Sequence, residues 1–492
     1  MNYYIGADLG TSSLKLLLVN SEGEILNSVS EEYEVSFPAS GWSEQNPEDW
    51  WNAFLKGFNK LTDSFDKSKI KGVAVAGQMH GLTILDENDK VIRPAILWND
   101  GRTFAETDEL NNVIGVDKLA QYTGNMAFAG FTAPKIMWVR NNEPGNFKKI
   151  SKIMLPKDYI NYLLTGAFAT DYSDASGMLL LDVEHKCWSK EMLDICGISE
   201  NQLPILYESY DKIGTVKPEI ASVLGISSNV TVSAGAGDNA AAAIGTNTLA
   251  NGKCNISLGT SGTVFASSDN YAKLSNNAIH SFCHSNGKYH IMGCILSAAS
   301  CNKWLYEDIF KTDDYTSEQA GITDDMLGNN RVYFLPYLMG ERSPLNDTDA
   351  RGVFIGMSLD TTREDMVLAV LEGVAFALRH NIEIAEETGV KILRSTLCGG
   401  GAKSTLWRKI ISNVLNLEID IPESEEGPGY GASMLAMVAA GECADIGECA
   451  DKFVRIKETV KPCDIIAERY NEKYKKFKSI YPSLKGVFGQ LK

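Results

Sequence analysis

The sequence predicts an α/β protein made of two related halves. An N-terminal β-turn-β-turn-β meander gives way to alternating helical and strand-like runs. A second glycine-bearing hairpin with the same Leu-Gly-Thr-Ser core recurs past the middle of the chain. Helix-period segments then dominate the remainder. At 492 residues the chain is also too long for one ordinary core.

Residues 3–7, 14–19 and 25–29 read as the three strands of the meander, joined by turns at Asp8-Leu9-Gly10-Thr11-Ser12-Ser13 and Ser21-Glu22-Gly23-Glu24. Trp51, Phe54, Leu55, Phe58 and Leu61 recur at helical spacing over residues 50–61. Val73-Ala74-Val75-Ala76 is a short buried-strand run, and 231–233 reads as the end of another. The second meander pairs 254–258 with 264–266 across Gly259-Thr260-Ser261-Gly262-Thr263. Helices are expected over residues 364–380, 433–440 and 468–480, the last with a Tyr470, Tyr474, Phe477 stripe and a solvated basic face. These elements divide into an N-terminal domain over residues 1–246 and a C-terminal domain over 247–492.

Composition excludes several classes. Hydrophobic residues make up 44% and charged residues 22%, as in soluble globular proteins. The net charge of −17 opposes non-specific binding to nucleic acid or anionic lipid. Neither a leader-like N-terminus nor a membrane-length apolar run is found, so a cytoplasmic protein is expected. None of the ten cysteines forms a CxxC pair, which fits buried free thiols in a reducing compartment.

Seven segments carry the candidate chemistry. The turns at Gly10-Thr11-Ser12 and Gly259-Thr260-Ser261 offer hydroxyls and unpaired backbone N–H groups that can cradle phosphate oxygens; ordinary hairpin chemistry is the plainer account of either alone. Asp8 could hold Mg²⁺, directly or through water. In Gly235-Ala236-Gly237-Asp238-Asn239, Asp238 opens a helix, either as its N-cap or as a carboxylate that accepts a hydroxyl proton. Gly77-Gln78-Met79-His80-Gly81 follows a strand end, where ligand sites gather in α/β sheets. Trp98-Asn99-Asp100-Gly101-Arg102 joins an aromatic platform to hydrogen-bonding groups suited to sugar, or is a surface turn. Gly399-Gly400-Gly401 lets a nucleotide approach the backbone but is neither a P-loop nor a dinucleotide fingerprint. A second glycine turn is read at Gly427-Pro428-Gly429-Tyr430-Gly431.

Together these pieces resemble the FGGY carbohydrate kinases, within the superfamily of actin, hexokinase and the heat-shock ATPases. Family signatures are matched at Thr132-Ala133-Pro134-Lys135-Ile136-Met137-Trp138-Val139, and again from Gly352-Val353-Phe354-Ile355-Gly356-Met357 to Ala369-Val370-Leu371-Glu372. Trp42-Ser43-Glu44-Gln45, the Met79-His80 pair and Leu155-Pro156-Lys157-Asp158-Tyr159 are similar to the xylulose-specific branch, whereas glycerol-specific members carry an Arg-Glu pair in place of Met79-His80. The resemblance implies two RNase H-like domains around a deep cleft. It implies Asp238 as catalytic base, Asp8 at the Mg²⁺–phosphate end, and Met79, His80 and Asn239 on the sugar, with Gln78 and Trp98 beside them. Thr11, Ser12, Gly259 and Thr260 would line the phosphates of ATP, and Gly400 and Gly401 the adenosine. Another ketose or polyol as acceptor, and a nucleotide-driven switch without sugar chemistry, are the alternatives. Homodimers are common among such proteins. Glu341-Arg342-Ser343-Pro344 also recurs in them, without a role that its residues disclose.

Overall fold

The computed structural model describes residues 1–274 and 279–491. The first meander forms where the apolar runs place it. Strand β1 (Tyr3–Leu9) pairs antiparallel with β2 (Ser13–Asn20), and β2 with β3 (Ile25–Glu32). Asp8 therefore belongs to the end of β1 rather than to the turn, and it lies opposite Lys15. Helix α1 (Pro47–Thr62) is capped by Asn46, whose side chain accepts from the Glu48 amide, and Pro47 occupies the first turn where its missing N–H costs nothing. Its Trp50, Phe54, Phe58 and Leu61 enter the core. Strand β4 (Ile70–Gly77) then runs parallel to β1.

Two helices of this half support the site, α2 (Thr132–Asn142) and α3 (Pro156–Thr165). Strands β5 (Lys212–Thr215), β6 (Thr231–Ser233) and β7 (Ala236–Gly237) follow, and helix α4 (Asp238–Gly245) leaves directly from β7. The sheet order is β5-β6-β4-β1-β2-β3, with β7 paired to the end of β4.

The second half repeats the plan. Strands β8 (Lys253–Leu258) and β9 (Gly262–Ser268) form the hairpin, and β10 (His280–Cys283) and β11 (Tyr289–Ile295) extend it antiparallel. The long helix α5 (Arg363–Glu387) starts on a Thr362–Asp365 capping box. Beyond it come β12 (Arg394–Cys398), α6 (Thr405–Leu415), β13 (Glu418–Pro422), α7 (Gly427–Ala439), β14 (Ile456–Val460) and α8 (Asp464–Phe488). The order is β10-β11-β9-β8-β12-β13-β14. In each sheet the opening strand has its hairpin partner on one side and a parallel strand on the other: β1 lies between β2 and β4, and β8 between β9 and β12. The recurrent Leu-Gly-Thr-Ser marks the same corner of both.

Two helices differ from their sequence readings. Helix α8 outruns residues 468–480 at both ends; its Tyr470, Tyr474 and Phe477 pack on Phe376 of α5, and Lys473 on its supposedly basic face is buried against Glu372. The expected glycine turn at 427–431 is itself the start of α7. Its glycines serve close packing: a Cβ on Gly431 would sit 1.9 Å from the Ala241 carbonyl oxygen, and one on Gly6 of β1 would sit 1.9 Å from that of Gly429. Helix α7 thus rests on β1 and α4 of the first half, and its Leu435, Ala436 and Met437 share a core with Tyr4, Ala74, Ala240 and Ile244. Among the described residues no helix is long and apolar enough to cross a membrane.

Gly431→Ala should cost about 1–3 kcal/mol in denaturant unfolding, because backbone rather than a movable side chain blocks the added methyl. Gly400→Ala, whose Cβ would meet nothing within 4 Å, should stay within about 0.5 kcal/mol of the parent.

Candidate active site

Two carboxylates from different elements come together. Asp8 ends β1 and Asp238 opens α4. The approach to Asp238 is a turn that only glycine permits: Gly235 has φ of 78°, and a Cβ there would lie 2.1 Å from the Val75 carbonyl oxygen. Buried polar groups hold this turn. The Ala234 carbonyl accepts from Asn161 Nδ2 at 2.9 Å, and the Gly237 amide donates to Ser173 Oγ at 3.1 Å. Beneath it Lys157 is enclosed by Asp158 at 2.7 Å and Asp171 at 3.0 Å.

The N-cap of α4 is Gly237, so Asp238 does not cap the helix. Its Oδ1 accepts from the Asn239 backbone amide at 2.7 Å and from Asn239 Nδ2 at 2.9 Å. Its Oδ2 has no hydrogen-bond partner among the described residues, and the residue is half-buried. Burial raises the Asp238 carboxyl to about 6 against the pull of those two donors. Asp8 has no side-chain hydrogen bond among the described residues. Burial first, and then the charge of Asp238, raise it to about 7. Lys15 counters this only in part, because its ammonium is engaged by Glu426 at 2.5 Å.

The Met79-His80 segment lies alongside. Met79 packs where a Cβ on Gly237 would fall, its Cγ and Sδ 3.0 Å from that point. His80 has φ of 69°, an unfavourable state for a non-glycine residue, and its carbonyl is clamped by Thr132 Oγ1 at 3.0 Å and Lys135 Nζ at 2.8 Å. Its ring stacks on Phe131, centroids 4.6 Å apart, and Nδ1 lies 2.7 Å from the Gly177 carbonyl oxygen. A carbonyl only accepts, so Nδ1 carries the proton and Nε2 is left as an acceptor. Burial pushes the imidazole down to about 3, which keeps it neutral.

Both hairpin tips carry unpaired amides: those of Thr11, Ser12, Thr260 and Ser261 have no acceptor among the described residues. On the second half, Thr260, Gly400 and Gly401 line one cavity of about 1000 Å³ with Tyr315, Gln319 and Trp407. Gly259 borders it through its carbonyl, which accepts from the Ala299 amide at 2.9 Å. On the first half, Thr11 Oγ1 accepts from Trp98 Nε1 at 2.9 Å and donates to Gln78 Oε1 at 3.3 Å. Ser12 is exposed at the tip.

Three sequence readings change. Gln78 is 2% exposed and its amide is spent on Gly10, Gln45 and Thr11, so it braces the hairpin instead of reaching a sugar. Asn239 directs its amide to Asp238 Oδ1 at 2.9 Å and so fixes that carboxylate. Within 98–102, Trp98, Asn99 and Gly101 remain exposed, whereas Asp100 and Arg102 form a buried ion pair at 2.7 Å. Thr132 and Lys135 were missed as the clamp on His80. A lysine amid Ala133, Pro134, Ile136 and Met137 on a helix was the available signal. Lys15 was missed because seven residues separate it from Asp8 in sequence and only the hairpin register brings them abreast.

Comparison with known proteins agrees with this geometry. Residues 3–245 match the N-terminal domain of the FGGY family of carbohydrate kinases, and residues 254–440 its C-terminal domain. The chain is 41% identical over 439 residues to a xylulose kinase of Escherichia coli (strain K12), covering 89% of this chain and 90% of that one. It superposes on the crystal structure of a xyloylose kinase from Brucella ovis with a TM-score of 0.94 and 39% identity, over 99% of this chain and 100% of that one. A gluconate kinase from Lactobacillus acidophilus superposes with a TM-score of 0.95 at 26% identity, over the whole of both chains. Two halves with one sheet plan, each matched by its own domain of that family, make this chain a member of the FGGY carbohydrate kinases.

Proposed function

We propose that this protein transfers the γ-phosphoryl group of ATP to the terminal hydroxyl of D-xylulose, giving D-xylulose 5-phosphate. The observation that carries the proposal is Asp238, whose Oδ1 is held by Asn239 while Oδ2 has no hydrogen-bond partner among the described residues. A carboxylate raised to about 6 is ionised near neutral pH yet basic enough to take the hydroxyl proton as the new P–O bond forms. The Met79-His80 pair and the relatives that bear the xylulose kinase name support the choice of sugar.

Each half contributes one phosphate cradle. The free amides at Thr11 and Ser12 and at Thr260 and Ser261 are donors to phosphate oxygens, and the cavity beside Gly400 and Gly401 suits adenosine. Asp8, with no hydrogen bond of its own and an adjacent negative charge, fits a hard divalent cation. No group of three metal-ligating side chains exists among the described residues, in keeping with Mg²⁺ held largely by water and phosphate. When bound, Mg²⁺ would neutralise charge on the phosphates beside Asp8. All ten cysteines are free thiols, which supports residence in the reducing cytoplasm.

ADP release with MgATP should rise sharply with D-xylulose and little with ribulose, xylitol, glycerol or gluconate; a different best acceptor would retain the mechanism and change the sugar. Asp238→Asn should lower kcat by at least ~10²-fold while D-xylulose still raises the melting temperature. Because Asp238 and Asp8 must both be ionised, kcat/KM should fall as pH drops through about 7 to 6. The same shift disfavours the native state at higher pH, since ionising Asp8 in place is harder than in the unfolded chain. Asp8→Asn should therefore raise Tm at pH 8 by about 2–4 °C, and the gain should fade between pH 7 and pH 4.

A further inference from the structure

The Glu341-Arg342-Ser343-Pro344 stretch belongs to the C-terminal half yet borders the sugar-side wall of the N-terminal half. It sits in a closed loop: the Glu341 and Asp347 backbones exchange two hydrogen bonds of 2.8 Å, and the Asn346 amide donates to the Arg342 carbonyl at 2.6 Å. The Ser343 amide donates to the Cys294 carbonyl of β11 at 3.0 Å, which anchors the loop to the second sheet. From there Arg342 extends its guanidinium over the ring of Phe128, 5.3 Å from the centroid. Phe128 meets Phe131 edge-on at 5.4 Å, and Phe131 stacks on His80. The guanidinium thus caps the aromatic wall on which the His80 ring rests.

Arg342 has no carboxylate within ion-pair distance among the described residues. Its neighbour Glu341 is turned away, with Oε1 accepting from the Leu296 amide at 2.9 Å and the Arg342 amide at 2.8 Å, and burial raises that carboxyl to about 8, so it is largely neutral. The charge of Arg342 acts on His80 and His280. Through Phe128 and Phe131 it adjoins the His80 side of the site.

We propose that Arg342 is a specificity-determining residue that donates to the ketone oxygen of the bound sugar while His80 Nε2 accepts from an adjacent hydroxyl. The argument is complementarity. A guanidinium only donates, and the ketone is the one oxygen of an open-chain ketose that only accepts. The bare Nε2 only accepts, which suits a hydroxyl. With the terminal hydroxyl at Asp238, the α-hydroxyketone end of the chain falls at the other end of the pocket. This inference rests on the function proposed above and adds which group reads the carbonyl.

The test compares D-xylulose with xylitol, the same skeleton with its carbonyl reduced. Arg342→Gln should raise the KM for D-xylulose about 10- to 100-fold, the loss expected for a charged hydrogen bond, and change the inhibition constant of xylitol by less than about threefold. Arg342→Lys, which keeps the charge and one line of donation, should fall between. A D-xylulose KM within twofold of the parent in both variants, or an equal weakening of xylulose and xylitol, would overturn the assignment. Should the glutamine variant fail to fold, the lysine variant decides alone, by a KM increase of at least threefold for xylulose against none for xylitol. If the unaltered protein is not stimulated by D-xylulose at all, it is the proposed function that fails.

Discussion

Close backbone packing of α7 against β1 and α4 is the constraint on which the site depends. Asp8 is carried by β1 and Asp238 by α4, and both elements are backed by the same helix. The contacts are backbone to backbone at Gly6, Gly245 and Gly431, where a Cβ would meet a carbonyl oxygen at 1.9, 2.2 and 1.9 Å. Such contacts leave little room for relative sliding, because interiors are close-packed and respond to a single added methyl. The helix comes late in the chain and crosses to the first half, so the separation of the two carboxylates is set by the C-terminal half of the sequence.

Electrostatics follows from that packing. Two carboxyls held together in a cleft, in a protein of net charge −17, repel one another and any further anion. The nearest cation, Lys15, is engaged by Glu426 just ahead of α7. The carboxylate end of the site is therefore short of cationic side chains where the proposed function would place a triphosphate. In the proposed mechanism, backbone amides at two hairpin tips and a divalent cation would supply what side chains do not. The His80 side is aromatic and capped by the Arg342 guanidinium, with His80 itself kept uncharged by burial and held in an unfavourable backbone state by Thr132 and Lys135.

Much of the fold was legible because its signals are local. The meander strands, α1 and α5 follow from apolar spacing, to which the structure adds the caps at Asn46 and Thr362. The repeated Leu-Gly-Thr-Ser pointed to two halves, and both sheets do share one strand plan. The start of α7 was misread because glycine in sequence signals a turn, whereas Gly429 and Gly431 are required by neighbours more than 180 residues away. The nature of Gln78 as a brace was hidden for a related reason, since its partners Gly10, Gln45 and Thr11 lie on other segments.

The sequence by itself determined the α/β class, the pairing of two glycine hairpins, and the residue types from which a phosphoryl-transfer site can be assembled. Spacing along one strand or helix is enough for each. Only the tertiary structure decided which of those residues face the cleft. It turned Asp238 outward from a glycine-only corner, spent Gln78 and Arg102 inside the fold, and brought Lys15 beside Asp8 and Arg342 beside Phe128. Hydrogen bonds and burial between distant segments make that choice, and no pattern local to one segment encodes them.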